Sequence, residues 1–210
     1  MASSLIHIAV ADNLNKKLKR KKELFLIGSV APDLSKVLGL TKIKSHFQLK
    51  RDNIPILDNF LKKYKNNLDD DFVLGYYVHL YTDYLWFKYF VPEIYDKDKE
   101  LITTLDGKKL ILNEDEMTEY IYNDYTNLNL KIINRYNLDL DFFENKNINL
   151  EHIIEEIPMD KIDKLLDKIV YIINNTKVHK DLVFNLENIE NFISLSTELI
   201  ESNLKELKIL

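Results

Sequence analysis

The stretch FVLGYYVHLYTDYLWFKYFV, from Phe72 to Val91, is the most aromatic run in the chain and sets what the rest must pack around. At about 20 residues it matches the length of a membrane span. However, His79, Asp83 and Lys88 interrupt it and three acids, Asp69 to Asp71, precede it, groups that are costly at membrane depth. Its tyrosines also lie near its middle rather than at its ends, where interfacial belts place them. The run therefore reads as a buried core helix, capped by the acids before it and closed by Pro92. Gly75 within it costs about 1 kcal/mol relative to Ala, which implies that another backbone comes close there. His79 and Asp83 stand four apart, on one face of the helix and one turn apart. So placed, they can grip one metal ion or hydrogen-bond each other in a polar pocket.

A chain of 210 residues suffices for one sizeable core, and 46% hydrophobic with 30% charged residues describes an ordinary globular protein. The net charge of −5 gives no strong nucleic-acid signal. There is no cysteine, so any metal must be held by nitrogen and oxygen. The opening MASSLIHIAV lacks the features of a signal peptide, and a cytoplasmic protein without a transmembrane segment is expected.

Ahead of the aromatic run, Ser3 or Ser4 is expected to cap a helix from about Leu5, with His7 turned to its apolar side. The basic run Asn15 to Lys22 reads as a solvated face or turn, with a phosphate or membrane-surface patch as the rival. Glu23 to Ile27 suits a short buried helix that Gly28 and Pro32 end, leaving Asp33 either to cap the next turn or to face a site. His46 falls in a loop, and Asn53 with Pro55 is expected to start a helix over residues 54–64. After the run, two β-favouring segments around Asp106-Gly107 predict a hairpin over residues 101–112. Asn113 with Glu116 makes a capping box for a helix to about Asn137. Within that helix Asp124 sits on a partly aromatic face and is a candidate to face the site. Residues 139–157, 159–176 and 187–207 read as amphipathic helices, with His152 and His179 at the surface. The expected architecture is all-α: one compact multi-helix bundle spanning residues 1–210, with a small β-hairpin insert.

His7, Asp33, His46, His79 and Asp83 all lie in the first 92 residues, each within or beside an apolar segment. Burying such groups is expensive unless they are paired, and a divalent metal is the usual compensation. Imidazoles and carboxylates without a thiolate suit zinc, and also iron or manganese.

The order His7, GSVAPD (Gly28 to Asp33), SHF (Ser45 to Phe47) and GYYVHLYTD (Gly75 to Asp83) resembles the zinc-dependent phospholipase C family, related to the P1-type nucleases. The resemblance covers about the first 90 residues. It implies an all-α bundle, one or two divalent metal ions, zinc first, and hydrolysis of a phosphoester or phosphodiester by metal-activated water. The substrate would be a phosphate-containing small molecule or a lipid head group. Carried over by position, Asp33, His46, His79 and Asp83 would hold one metal, and Asp83 would bridge to a second held also by His7. Asp33 would in addition orient or deprotonate the attacking water.

The chain departs from the family pattern. It has no tryptophan near its start, no histidine in Trp86 to Phe90, and no H-x-x-x-E headed by His152 or His179. The third metal site of the family is therefore missing, with Asp124 the candidate substitute ligand or substrate contact. Tyr77, Tyr81 and Tyr84 are expected either to line the pocket or to pack the core. The rival expectations are a degenerate, non-catalytic member that binds or scaffolds, and a peripheral membrane device built on the basic run and the aromatic helix.

Overall fold

The computed structural model describes residues 1–50, 54–144, 150–151, 153–176 and 178–210. Helix α1 (Ser4–Leu18) starts as the serines suggest: Ser3 caps it, its side chain accepting the Ile6 N–H at 3.4 Å. Leu5, Ile6, Ile8, Ala9, Val10, Ala11 and Leu14 are buried, so α1 is enclosed on nearly all sides. It stops at Lys19 in the left-handed region, and the Asn15 side chain closes the turn on the backbone of Arg20. The basic run occupies this turn. Lys17 meets Glu201, Lys22 meets Asp12 and Asp139, and Arg20 meets Asp71. Exposed pairs of this kind stabilise by 0 to about 1 kcal/mol each, so the run is a solvated turn in which Lys17, Arg20 and Lys22 have acidic partners.

Helix α2 (Lys22–Gly28) leads through a 3₁₀ turn, Ala31–Asp33, into the short α3 (Leu34–Val37). Helix α4 (Leu57–Tyr64) begins later than the sequence suggests, because Pro55 precedes the helix instead of opening it; Asn53, the expected cap, lies outside the described residues. Helix α5 (Asp71–Leu85) is the aromatic run, with Asp70 accepting the Val73 N–H at 2.9 Å. Pro92 does not close it. The chain widens into a π-helical turn, Trp86–Phe90, and continues as α6 (Val91–Ile94), whose first turn has no use for the N–H that Pro92 lacks.

The β insert is larger than a hairpin. Strands β2 (Leu101–Thr103) and β3 (Lys109–Ile111) are joined across Asp106-Gly107, and β1 (Tyr95–Asp96) adds an antiparallel edge, in the order β1-β2-β3. Helix α7 (Glu114–Tyr136) has the Asn113/Glu116 capping box and ends at a left-handed Asn137. The described residues of 139–157 hold only a 3₁₀ turn, Asp141–Glu144, in place of the amphipathic helix their stripe suggests; residues 145–149 and 152 lie outside the described residues. Helices α8 (Ile162–Asn174) and α9 (Leu186–Glu206) follow the predicted stripes. His179 is exposed, and His152 lies outside the described residues. The outcome is an all-α fold with a small antiparallel sheet. Among the described residues no helix is long and apolar enough to cross a membrane.

The core forms around α5, which packs on α1, α2, α4 and α9. Tyr77 stacks on Phe60 at 5.7 Å and donates to Asn203 Oδ1 at 2.7 Å, and Tyr81 and Tyr84 continue that edge-to-face row. Trp86 and Phe90 stack at 4.0 Å and pack against Phe184 and Phe192, joining the end of α5 to α9. The crossing of α2 and α5 is the tightest joint. A Cβ added at Gly28 would lie 2.2 Å from the Phe72 carbonyl oxygen, and one at Gly75 would lie 2.1 Å from that of Phe25. Only paired glycines allow the two backbones this approach.

Candidate metal centre

The glycine crossing determines the first contact of the site. Ser29 follows Gly28, and His79 lies one turn beyond Gly75. The approach of the helices puts the Ser29 carbonyl 2.8 Å from His79 Nδ1. A carbonyl can only accept, so Nδ1 carries the proton. Burial, then repulsion from His7, holds the His79 pKa well below its ordinary value, and the ring is neutral near pH 7. Its Nε2 therefore turns a lone pair into the cluster.

His46 is prepared in the same way by a different element. It lies in the turn over residues 43–47, whose Ser45 carbonyl accepts from the buried Tyr76 hydroxyl at 2.6 Å. The turn ends on Phe47 in the left-handed region (φ 51°), its ring packed edge-on against Phe60 and Tyr64. The Ser45 hydroxyl donates to the Lys42 carbonyl at 3.3 Å, so at 2.9 Å from His46 Nδ1 it acts as the acceptor. Burial, the leading cause, pushes His46 down to about 4. Its Nε2 lone pair thus also faces inward.

The five residues expected from the sequence come together. His46 Nε2 and His79 Nε2 are 3.2 Å apart. Asp83 Oδ2 lies 3.7 Å from the first and 3.6 Å from the second. Asp83 Oδ1 turns the other way, 3.3 Å from His7 Nε2 and 3.1 Å from the Ala2 N–H. Asp33 Oδ1 completes the group 3.7 Å from His46 Nε2. His7 stacks on His79 with ring centroids 3.8 Å apart and planes 8° from parallel. Two sets of potential ligand atoms result, His7 with His79 and Asp83, and Asp33 with His46 and His79, each confined within 4.8 Å.

These atoms are close without satisfying one another. His7 Nδ1, His7 Nε2 and Asp83 Oδ2 are buried and make no hydrogen bond. Leaving such groups unmet costs about 1–3 kcal/mol each. The separations suit a cation at their centre, since ligands at zinc bond lengths in a tetrahedron stand about 3.3 Å from one another. The residues present therefore fit a divalent ion.

Electrostatics distinguishes the two carboxylates. Burial acts against ionisation of Asp83, and His7, ahead of His79, overrides it to hold the group well below the usual carboxylate range. Burial likewise opposes ionisation of Asp33, and the Lys42 ammonium, ahead of His79, His46 and His7, overrides it to hold the pKa at about 2. Asp33 retains 7% exposure, whereas His7, His46, His79 and Asp83 have none. It is the ligand candidate at the mouth of the cluster. It makes no side-chain cap to α3, so the capping alternative does not hold.

Asp124 is not brought to the cluster. It is fully buried, and its Oδ1 accepts from the Leu182 N–H at 2.8 Å and from Asn123 Nδ2 at 3.1 Å. Its Oδ2 accepts from the N–H groups of Val183 and Phe184 at 2.6 and 3.0 Å. That carboxylate anchors the segment before α9, and its oxygens are committed there. The aromatic face that drew attention to Asp124 is core: Tyr125 packs on Trp86 and Phe184, and its hydroxyl donates to the Met1 carbonyl. Sequence reasoning missed the supporting groups, Ser29, Ser45 and Tyr76, together with Lys42. Ser29, Ser45 and Tyr76 lie inside the motifs GSVAPD, SHF and GYYVHLYTD, but nothing local in the sequence says which carbonyl or hydroxyl meets which ring.

No protein-family model, curated protein or solved structure matches the chain.

Proposed function

We propose that the protein is a metal-dependent hydrolase of phosphoesters or phosphodiesters, akin to the zinc-dependent phospholipase C family, with the cluster as its metal centre. One observation carries the metal reading: two inward lone pairs, on His46 and His79, stand 3.2 Å apart beside an Asp83 oxygen that makes no hydrogen bond. Lone pairs facing at that distance repel unless a cation lies between them. His46, His79, Asp83 and Asp33 would hold one ion, and His7 with Asp83 Oδ1 would contribute to a second. A bound divalent ion supplies an acidified water and Lewis-acid polarisation of a phosphoryl oxygen.

The chain's own groups divide the remaining tasks. Ser29 and Ser45 fix the tautomers of His79 and His46. Asp33, at the mouth and ionised down to about pH 2, accepts a hydrogen bond from the attacking water and orients it. The Lys42 ammonium beside it favours the ionised carboxylate, which suits Asp33 to orienting that water. The substrate class is a phosphate-containing small molecule or a lipid head group. A second reading, a metal-containing binding or scaffold protein without turnover, is favoured by the commitment of Asp124 elsewhere, which leaves no later-helix carboxylate at the cluster.

Elemental analysis of the purified protein, paired with hydrolysis of bis-p-nitrophenyl phosphate, tests both. One or two equivalents of metal are expected, with hydrolysis lost in Asp33→Ala at intact fold. In His79→Ala the metal affinity should fall about 100-fold or more. Metal below about 0.2 equivalents after reconstitution, with His79→Ala behaving as wild type, would end the metal reading. Full metal occupancy without hydrolysis would select the scaffold.

A further inference from the structure

The mouth of the cluster holds a charged group that ligation does not use. Lys42 Nζ lies 3.4 Å from Asp33 Oδ1, and among the described residues it is the only lysine or arginine ion-paired to a member of the cluster. Its side chain is 23% exposed, so it touches both the enclosed ligands and the solvent. Its backbone is tied to the site as well. The Lys42 carbonyl accepts the His46 N–H at 2.8 Å and the Ser45 hydroxyl at 3.3 Å, so the ammonium is hung from the turn that positions a ligand.

Charge makes the position informative. Asp33 and Asp83 together carry two negative charges, which one divalent ion neutralises. A centre with a single ion and neutral imidazoles then has no net attraction for an anion. Lys42 restores it, next to the one carboxylate that reaches the mouth. An ammonium has three donors on a flexible stem, and Asp33 takes one, with the Met1 thioether resting against the group.

We propose that Lys42 is a phosphate-binding residue, which holds an anionic phosphoryl oxygen of the substrate at the mouth of the metal centre. This rests on the metal-dependent reading above and deepens it: the ligand is a phosphate monoester or diester anion, free or displayed on a larger molecule. A neutral ester would gain nothing from Lys42.

The test uses the full chain reconstituted with zinc, with metal content measured for every variant. Calorimetric titration with inorganic phosphate and with dimethyl phosphate reads the anion site. Lys42→Gln should bind one or both probes about 10- to 100-fold more weakly at unchanged metal content, the span expected for a lost charge-assisted hydrogen bond. Lys42→Arg should restore most of that affinity. The probe that suffers more identifies the monoester or the diester as the preferred class. Equal affinities in wild type and Lys42→Gln, both fully loaded, overturn this proposal and leave the metal reading standing. Loss of metal from Lys42→Gln makes Lys42 a structural counter-ion of Asp33 and also overturns it. A wild-type chain that takes up no metal removes the metal reading and this proposal together.

Discussion

Two aspartates, Asp83 and Asp124, are equally and completely buried, and the structure treats them in opposite ways. Asp124 receives three backbone N–H groups and an amide, so every strong direction around its carboxylate is met. Asp83 has one backbone donor, from Ala2, and an Oδ2 that meets only the Nε2 atoms of His46 and His79 at 3.7 and 3.6 Å. A buried charge surrounded by donors is a structural anchor. One whose free oxygen faces two imidazole lone pairs has the neighbours that the proposed metal site needs. Burial alone does not distinguish the two; the chemistry of the neighbours does.

Converting both residues to asparagine breaks the comparison most directly. In Asp124→Asn, an NH₂ replaces an oxygen that accepts backbone N–H groups, and about 3 kcal/mol or more of stability should be lost. In metal-free Asp83→Asn, the amide can keep the Ala2 bond through its oxygen and offer its NH₂ to the two imidazoles. That change should cost about 1 kcal/mol or less. Urea denaturation of the chelated proteins reads both, and equal losses would remove the distinction between anchor and ligand.

Acid separates the histidine side of the site from the carboxylate side. His46 is held at about 4 against 6.5 in the unfolded chain, so the unfolded state takes up the proton first. Stability of the metal-free protein should therefore fall as pH drops from about 6.5 towards 4, on the order of 3 kcal/mol from His46 alone, with His79 acting in the same direction. Asp33, held at about 2 against 3.8, has the same sign in a lower window: its stabilisation is complete above 3.8 and is lost as pH falls from there towards 2. Thermal melts of the chelated protein from pH 7 to pH 4 check this. A flat profile across that range would contradict the neutral buried imidazoles.

Ser45→Ala gives the smallest of these effects. It removes the acceptor that orients His46 Nδ1, and metal affinity should fall about tenfold, with the fold retained. Competition with a chromogenic chelator measures it; wild-type affinity would mean that His46 is held by packing alone.

Local patterns carried much of the fold. The caps at Ser3, Asp70 and Asn113, the stripes of α8 and α9 and the turn at Asp106-Gly107 act over a few residues, so they were readable. The failures came where neighbours overrode local preference. The apolar stripe over residues 139–157 produced only a 3₁₀ turn among the described residues, and Pro92 was accommodated by a π turn that no local rule required. Strand β1 exists because β2 offers it an edge.

By itself the sequence determined an all-helical chain built on an aromatic helix, with His7, Asp33, His46, His79 and Asp83 as the polar groups set in apolar surroundings. The spacing of His79 and Asp83 made them neighbours on one face, which follows from helix geometry. Only the tertiary structure decided that α1, the turn after α2 and the turn over residues 43–47 converge on that face. The physical reason is the Gly28/Gly75 crossing, which brings the Ser29 carbonyl to His79, and the Tyr76 hydroxyl, which pins the turn bearing His46. The same packing took Asp124 away, because the backbone of residues 182–184 lay within its reach.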